Sequence, residues 1–320
     1  MKPVVLVTAI GTVTATAIIK EIKKTEQYHI IGADINKKEE IATSLDVDEF
    51  YTFPPIADLD AYLQFVFEFC REHKVSYYFA VLDKEVVLIS KHRKAFGDIG
   101  TQLCVVNYEF AEICHYKNAF SEWIVHNMPD IAIRTYKDYS EIKEKYFPLF
   151  IKPVEGVAST GCRRIDSLAE LKQCVPEDKI GTEILVQDYI QGDNITVDLV
   201  RNKTTHQQIQ IQRKELLRNA NGCGIAVEII KDGHLQRICD ELMEKLDLNG
   251  VANAEFFCKE GKYKIIEINP RFSAGSRYTC MAGINTVINA LNITQGEPCI
   301  FGNISYGKHF AERYEAYQMD

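Results

Sequence analysis

The segment "YKIIEINPRFSAG", which runs from Tyr263 to Gly275, contains a strand pattern with polar residues inside it. Three isoleucines between residues 265 and 268 predict a buried strand. Glu267 and Asn269 lie two residues apart in that strand, and because strand side chains alternate, both project from one face. A proline then ends the strand, and Arg271 follows it. The segment therefore predicts a carboxylate and an amide side by side, with a guanidinium just beyond them.

A second acid, Glu255, lies twelve residues before Glu267, across the turn "KEGK" at residues 259–262. Opposed residues of a hairpin share a face. A three-residue loop, in which Gly261 takes a positive φ, would place Glu255 on the same face as Glu267. A two-residue loop would place it on the opposite face. We expect the three-residue loop, and hence a face that carries three oxygen donors.

Two carboxylates and one amide are ligands of the kind that Mg²⁺ prefers, and they do not suit zinc or copper. The alternative is that both glutamates are solvated acids on an edge hairpin. Their neighbours in the sequence are strongly apolar, however, and isolated charges beside a core are costly. The pattern therefore predicts a cation site formed by Glu255, Glu267 and Asn269.

The composition is typical of a globular protein with two or three lobes. Of 320 residues, 46% are hydrophobic and 26% are charged, and the formal net charge is −8. The acidic total argues against nucleic acid as the main partner, and the lack of a long apolar span argues against a membrane helix. The ten cysteines form no CxxC pair, which is typical of free thiols in a reducing compartment. We expect a cytoplasmic protein.

Strand and helix patterns alternate over residues 1–108, which predicts an α/β fold with a small parallel sheet. The first apolar run, "PVVLVTAIG", is interpreted as a buried strand rather than a signal peptide. Gly11 then opens a helix and Asp34 ends the second strand, as in dinucleotide-binding folds. That fingerprint needs three glycines, and the turn "AIGTVTAT" has one. The alternative is that Gly11 makes a tight turn and Thr12 caps the helix.

From residue 109 onwards, helices and longer strands follow one another, which predicts an α+β region. "FIKPVEGVASTG" places Lys152 at the end of an apolar strand, before a loop rich in glycine and hydroxyl residues. Backbone amides of such a loop can approach phosphate oxygens, although the ending of a Walker A motif is missing. A plain flexible connection is the alternative. Lys117, in "HYKNAF", by itself fits an exposed helix residue.

Four segments taken together resemble the ATP-grasp superfamily, and more narrowly its carbamoyl-phosphate-synthetase-like and PylC-like branch. They are "FIKPVEGVASTG", "ILVQDYIQGDNITVDLV", "NAEFF" and "IIEINPRFSAG". The resemblance covers essentially the whole chain. It implies an ATP-grasp fold with a Rossmann-like pre-ATP-grasp domain at residues 1–108. A small lobe with the glycine-rich loop would occupy residues 109–184, and a large lobe with the metal-binding hairpin would occupy residues 185–320.

The resemblance also implies ligands for ATP. Lys117 and Lys152 would contact its phosphates, and the mobile loop would close over them. The loop residues implied in this contact are Gly156, Ser159, Thr160 and Gly161. Gln187, the backbone of Asp188 and the amide of Ile190 would meet the adenine edge.

Two positions depart from the family pattern. The adenine hinge often begins with glutamate, and here it begins with Gln187, whose amide can still accept from the adenine amino group. The position that usually holds a ribose-binding glutamate carries Asn194, with Asp193 beside it. Either of these two side chains could bond a ribose hydroxyl.

The metal ions and catalytic groups follow from the same resemblance. Glu255, Glu267 and Asn269 would hold two Mg²⁺, with Mn²⁺ as a substitute. Arg271 would stabilise the transferring phosphoryl group or orient the acceptor carboxylate, and Lys152 would add positive charge beside it. A further phosphate or substrate candidate is Arg213, in "IQIQRKELL".

The implied function is that of an ATP-dependent carboxylate–amine ligase acting on amino-acid-like substrates through an acyl phosphate, with a homodimer as the implied assembly. The alternatives are a nucleotide-binding regulatory module and carboxyphosphate or carbamoyl-phosphate chemistry. True carbamoyl phosphate synthesis would normally imply a much longer chain with two ATP-grasp halves. A nicotinamide oxidoreductase is a third class. The N-terminal domain offers candidate substrate contacts, although its acids also suit helix starts. These candidates are Gly11, Thr12, Asp34, Asp83 and Glu85.

Overall fold

Three β-sheets organise the protein, whose computed structural model describes residues 2–154 and 161–319. The predictions for Gly156, Ser159 and Thr160 fall outside the described residues. Gly161 is described and adopts a positive φ of 77°. No helix in these two described ranges is long and apolar enough to cross a membrane.

The chain opens, as predicted, with an α/β unit whose five strands are parallel. Its elements are β1 (Val4–Thr8), α1 (Val13–Lys23), β2 (His29–Asp34), β3 (Glu49–Thr52), α2 (Leu59–Glu72), β4 (Val75–Phe79), α3 (Asp83–Lys91), α4 (Arg93–Asp98) and β5 (Gln102–Leu103). The strand order is β3-β2-β1-β4-β5, so the first apolar run forms the central strand. β3 is absent from the predicted pattern because none of its residues is buried.

Two helices connect this unit to the next sheet, where the pattern "EFAEICHYKNAFSEWIVHNM" at residues 109–128 predicts one continuous helix. They are α5 (Tyr108–His115) and α6 (Lys117–Asn127). Tyr116 between them has an extended backbone, with φ −88° and ψ 107°. Cys114 and Phe120 are both buried in the same core, so each helix packs its own apolar side. The break makes Lys117 the first residue of α6.

A four-stranded antiparallel sheet follows. Its elements are β6 (Thr135–Tyr136), β7 (Leu149–Pro153), β8 (Arg163–Ile165), α7 (Leu168–Cys174) and β9 (Ile184–Asp188). The order is β6-β9-β7-β8, which places Lys152 of β7 beside β9. The boundary proposed after residue 184 falls within β9, and the division into domains stays a prediction.

The remaining chain builds a six-stranded sheet in the order β14-β13-β10-β11-β12-β15. Its elements are β10 (Asp193–Asn202), β11 (Gln207–Arg218), β12 (Gly224–Ile230), α8 (Gly233–Lys245), β13 (Gly250–Lys259), β14 (Lys262–Asn269), α9 (Ser276–Met281), α10 (Thr286–Gln295) and β15 (His309–Ala311). On one face, Val197, Ala254 and Phe256 share a hydrophobic cluster with Leu235 and Leu242 of α8. Because strand side chains alternate, Thr196, Asp198 and Glu255 project from the other face.

The turn of the β13–β14 hairpin differs from the prediction. Lys259 pairs with Lys262, so the loop has two residues, and the predicted three-residue loop is wrong. Glu260 and Gly261 form it with φ values of 52° and 74°. Positive φ at both central residues is the geometry of the tight hairpin turn whose twist matches that of the strands.

A β-bulge restores the predicted face in spite of the shorter loop. Phe256 pairs with Ile265, whereas the preceding residue Glu255 pairs with Glu267. Ile266 is therefore an extra residue on β14. Since a one-residue shift exchanges the faces of a strand, the bulge brings the two carboxylates to the same side.

The turn predicts opposite effects for two glycine-to-alanine substitutions. An added Cβ meets no atom within 4 Å at either Gly261 or Gly97 of α4, so only backbone conformation differs. Gly261→Ala should lower the free energy of unfolding by about 1 kcal/mol, because its φ of 74° is left-handed. Gly97→Ala should raise it by about 0.5–1 kcal/mol. Urea unfolding measures both, and the same sign for the two variants would contradict the assigned turn.

Candidate active site

Five of the predicted site residues lie on the face of the six-stranded sheet that is opposite the α8 cluster, here called the polar face: Asn194, Arg213, Glu255, Glu267 and Asn269. Strand pairing and one cross-strand hydrogen bond place nine polar side chains there: Asn194, Thr196, Asp198, Arg213, Glu215, Asn253, Glu255, Glu267 and Asn269. They come from four adjacent strands. The face therefore combines acids, amides and a cation over the apolar layer below it.

The three predicted metal ligands converge at the bulged end of the hairpin. Glu255 and Glu267 are directly opposed, and Asn269 donates from Nδ2 to Glu255 Oε1 over 3.4 Å. Burial, with the negative charges of Glu267 and Glu215, raises the pKa of Glu255 to about 8. Two opposed carboxylates repel one another, so the arrangement favours a bound cation.

The donor chemistry fits Mg²⁺. Within residues 2–154 and 161–319, no three His, Cys, Asp or Glu side chains gather as a metal site, and the group here is two carboxylates and one amide. All of its donors are oxygen atoms, which hard divalent cations prefer, and Mg²⁺ keeps part of its shell for waters and phosphates. Glu255, Glu267 and Asn269 thus suit the predicted ion.

Both predicted phosphate lysines face these carboxylates. Lys152 is 7% exposed, and its Nζ donates to the backbone carbonyl of Ile266, at the bulge, over 3.2 Å. Burial lowers the pKa of Lys152, and the neighbouring Glu267 opposes this shift. Lys117, at the start of α6, lines one cavity together with Lys152, Gln187 and Glu267. The cavity lies where the four-stranded sheet β6-β9-β7-β8, called the small sheet from here on, meets the hairpin.

The predicted adenine residues occupy β9 and the turn after it. Gln187 is buried and donates from Nε2 to Thr135 Oγ1 over 2.8 Å. Asp188 and Ile190 line a second cavity, of about 380 Å³. Ile133 borders both cavities, so the two spaces are neighbours. Their contact with adenine stays a prediction.

The two ribose candidates project from opposite faces of β10. Asn194 lies on the polar face and accepts a hydrogen bond from Arg218 Nη1 over 3.0 Å. Asp193 lies on the other face, where its Oδ2 is 2.6 Å from Lys214 Nζ. The structure thus brings Asn194 to the site and directs Asp193 away from it.

Arg271 joins the N-terminal unit to the site. Its Nε lies 2.9 Å from Oδ1 of Asp83, the first residue of α3. Its Nη2 donates to Asn269 Oδ1 over 3.2 Å, and its Nη1 donates to the Phe272 carbonyl over 3.1 Å. The guanidinium is therefore held on three sides beside a predicted metal ligand.

Arg213 is enclosed. It is 1% exposed and binds Asp198 with both terminal nitrogens, at 2.5 and 3.1 Å. It also donates to Ser273 and Thr279, and a Cβ at Gly275 would lie 2.9 Å from its Nε. These contacts favour a role in holding segment 273–279 on the sheet. Its predicted contact with a phosphate or substrate stays a prediction.

Arg218, Glu215 and Asn253 are among the site residues that the sequence prediction missed. Arg218, at the end of β11, places Nε 2.7 Å from Glu215 Oε2 and Nη2 3.6 Å from Glu255 Oε2. Asn253 is 2% exposed, and its Nδ2 has no hydrogen-bond acceptor among the described residues. Strand alternation from Glu255 could have identified Asn253, and alternation from Arg213 could have identified Glu215. Nothing in the local sequence marks Arg218.

The first turn of the chain is closed by its own side chains. Asp34 accepts hydrogen bonds from the backbone N of Gly11 over 2.8 Å and of Asn36 over 3.1 Å. Thr12 Oγ1 accepts from Ala15 N over 3.2 Å, so the predicted cap is confirmed. These bonds favour the tight-turn interpretation over a dinucleotide site.

Glu85 belongs to the core of the N-terminal unit. It is fully buried and accepts hydrogen bonds from Thr8 over 2.8 Å, from Tyr62 over 2.5 Å and from Tyr78. Burial raises the pKa of Glu85, and the three hydroxyl groups oppose this shift. Its predicted substrate contact stays a prediction, whereas Asp83 reaches the site through Arg271.

The enclosed Arg213–Asp198 pair predicts a large loss of stability when one partner is neutralised. Asp198→Asn should lower the free energy of unfolding by about 3–5 kcal/mol, because it leaves a buried guanidinium without its counter-ion. The matched control is Asp193→Asn on the same strand, which removes a solvent-exposed pair and should cost less than about 1 kcal/mol. Equal losses in urea unfolding would contradict this assignment.

Two family models match the chain. Residues 181–309 match the model described as "ATP-grasp in the biosynthetic pathway with Ter operon". Residues 5–104 match the model described as "PylC-like, N-terminal domain". The first match contains the polar face and its hairpin, and the second contains the parallel sheet.

The curated relatives that match about half of the chain include the following two. D-alanine–D-alanine ligase A of Clostridium perfringens is 26% identical over 160 residues, which cover 46% of this chain and 53% of the relative. The arginine-specific large chain of carbamoyl phosphate synthase from Bacillus subtilis is 26% identical over 157 residues, which cover 46% of this chain and 15% of the relative. The chain thus aligns with about half or less of either relative.

Among solved structures, an L-amino acid ligase from Bacillus licheniformis has the same fold, with a TM-score of 0.69 and 16% sequence identity. The match covers 92% of this chain and 74% of that one. The predicted combination of an α/β N-terminal unit with a two-sheet C-terminal region is confirmed.

Proposed function

We propose that the chain is an ATP-dependent carboxylate–amine ligase of the ATP-grasp superfamily. It would activate a carboxylate as an acyl phosphate and join it to an amine, with release of ADP and phosphate. The similarity to D-alanine–D-alanine ligase supports this reaction and amino-acid-like substrates. A homodimer and a cytoplasmic location remain predictions.

One observation carries the proposal. Glu255, Glu267 and Asn269 converge on one face, and Lys152 reaches the same hairpin at the Ile266 carbonyl. The first three supply oxygen ligands, and the lysine supplies a buried positive charge next to them. Such a combination of cation ligands and a cation is what a polyphosphate needs.

The positive groups have distinct places around the proposed triphosphate site. Lys117 and Lys152 lie on the side of the small sheet, where they would contact phosphate oxygens. Arg271 lies beyond Asn269, where it would stabilise the phosphoryl group during transfer or orient the acceptor. When bound at Glu255, Glu267 and Asn269, two Mg²⁺ would neutralise phosphate charge. Mn²⁺ is the proposed substitute.

The chemistry requires no protein nucleophile. A carboxylate oxygen of the first substrate attacks the γ-phosphorus, and the bond from that phosphorus to the bridging oxygen of ADP breaks. The amine of the second substrate then attacks the acyl carbon, the bond to the phosphate oxygen breaks, and the nitrogen loses a proton. Loop 156–161 is proposed to exclude water, which would otherwise hydrolyse the acyl phosphate.

Carboxyphosphate chemistry is the second candidate, because the carbamoyl phosphate synthase relative favours it. In that case bicarbonate is the carboxylate that is phosphorylated. A nucleotide-binding regulatory module is the third, and it needs no acceptor site. Phosphate release with bicarbonate, with amino-acid pairs, or with neither separates the three candidates.

Glu267→Gln tests the ligase assignment in a phosphate-release screen of amino-acid pairs with MgATP. Phosphate release should fall by at least about a hundredfold, because the variant removes a proposed metal ligand from the transfer site. The matched control is Glu260→Gln in the exposed turn of the same hairpin, which should retain wild-type turnover. Full turnover in Glu267→Gln would contradict the metal role.

Ligand-dependent thermal stability tests the nucleotide class. MgATP should raise the melting temperature of the wild type, and Lys152→Met should lose most of this increase because the buried lysine would no longer contact phosphate. NAD should have no effect, since Asp34 is already bonded to Gly11 and Asn36. Stabilisation by NAD and not by MgATP would reject the proposal.

A further inference from the structure

Two arginines flank the same pair of polar side chains. Arg271 Nη2 lies 3.2 Å from Asn269 Oδ1, and Arg218 Nη2 lies 3.6 Å from Glu255 Oε2. Asn269 and Glu255 are themselves 3.4 Å apart. The guanidinium groups thus approach this pair from the segment after β14 and from the end of β11.

Arg218 is held in place and still has donors to offer. Its Nε donates to the Gly222 carbonyl over 2.7 Å, and its Nη1 donates to Asn194 over 3.0 Å. No hydrogen bond from Nη2 is found within the described residues, and the 3.6 Å separation from Glu255 makes an ion pair only. The side chain is 33% exposed. Both hydrogens of Nη2 are therefore available to a ligand.

An unpartnered buried amide lies in the same row of side chains. Asn253 accepts from Asn269 Nδ2 at 3.5 Å, while its own Nδ2 has no acceptor among the described residues. Buried donors are nearly always hydrogen-bonded, so an acceptor on a bound ligand would satisfy it. Cys223 directly follows Gly222, whose carbonyl accepts the hydrogen bond from Arg218 Nε, so its thiol can report on the charge at this arginine.

We propose that Arg218 and Arg271 together bind the carboxylate of the substrate that is phosphorylated, beside Glu255 and Asn269. A guanidinium fork matches a planar carboxylate, and hydrogen bonds to one would replace the loose pair between Arg218 and Glu255. Neutralising the substrate carboxylate also reduces its repulsion from the phosphates. The inference rests on the proposed ligase function, and it assigns Arg218 a direct contact with substrate.

Alkylation of Cys223 tests the anion site without knowledge of the substrate. Iodoacetate carries a carboxylate, and iodoacetamide is its neutral counterpart of similar size. Mass spectrometry gives the ratio of their reaction rates at Cys223. The ratio should fall about fivefold or more in Arg218→Gln. It should fall less in Arg218→Lys, which keeps the charge and loses the fork.

The matched control is Arg237→Gln, which changes an exposed arginine on α8, against the opposite face of the sheet. Its ratio should equal that of the wild type. An unchanged ratio in Arg218→Gln, with its melting temperature preserved, would overturn the inference.

Kinetics separate this inference from the ligase proposal. In the phosphate-release assay, Arg218→Gln should raise the KM of the carboxylate substrate about ten- to hundredfold, the effect of losing a charge-assisted hydrogen bond. The KM of ATP and the binding of MgADP should change less than about twofold.

If the wild type turns over and Arg218→Gln keeps the carboxylate KM, this inference alone fails. If the wild type neither binds MgADP nor releases phosphate, the ligase proposal fails, and the alkylation ratio still decides whether the arginine pair attracts a carboxylate.

Discussion

Two carboxylates, Glu255 and Glu267, oppose one another across the β13–β14 hairpin. Their mutual repulsion requires positive charge nearby, and the surrounding side chains are arranged accordingly. Glu255 and Glu267 stand over an apolar layer, where unpaired charge is costly. The surrounding groups offset that cost with positive charge from three separate stretches of chain. Lys152 comes from the small sheet, Arg218 from β11 and Arg271 from the segment after β14. The site is thus an acidic centre within a ring of cations, an arrangement that suits a metal-bound polyphosphate.

The bulge in β14 accounts for both the direction of the acids and the docking of the small sheet. By adding Ile266 to one strand only, it turns Glu267 towards the face of Glu255. The same residue presents its carbonyl to Lys152. One local irregularity therefore aligns the ligands and attaches the lysine of the other sheet to them. A regular hairpin with the same two-residue turn would direct the two carboxylates to opposite faces of the sheet.

The parts of the fold and of the site that the sequence predicts correctly are those that depend on short local patterns, such as the alternation of strand side chains. The parallel N-terminal sheet, the Thr12 cap and the shared face of Glu267 and Asn269 follow from patterns a few residues long, and the structure has all of them. The prediction of the face of Glu255 is correct, although the three-residue loop behind it is wrong. The turn is one residue shorter than predicted and β14 has one extra residue, so the number of residues between Glu255 and Glu267 still places both on one face. The break at Tyr116 and the position of Arg218 depend on tertiary packing, which leaves no local signal.

Arg271 is held by an ion pair and side-chain hydrogen bonds, whereas Lys152 is held at the hairpin by one hydrogen bond to a carbonyl. The proposed site therefore has an acceptor side at Arg271 and a nucleotide side at Lys152. Arg271 bonds Asp83 of the N-terminal unit and Asn269 of the sheet, and the chain after it is held by the enclosed Arg213. Lys152 meets the hairpin through a hydrogen bond to one carbonyl. Separation of the small sheet would break that bond and leave the arginines in place. In the proposed reaction, nucleotide could then exchange without disturbing the acceptor side, because the buried Arg213–Asp198 pair and the partly exposed Arg271–Asp83 pair hold that side together.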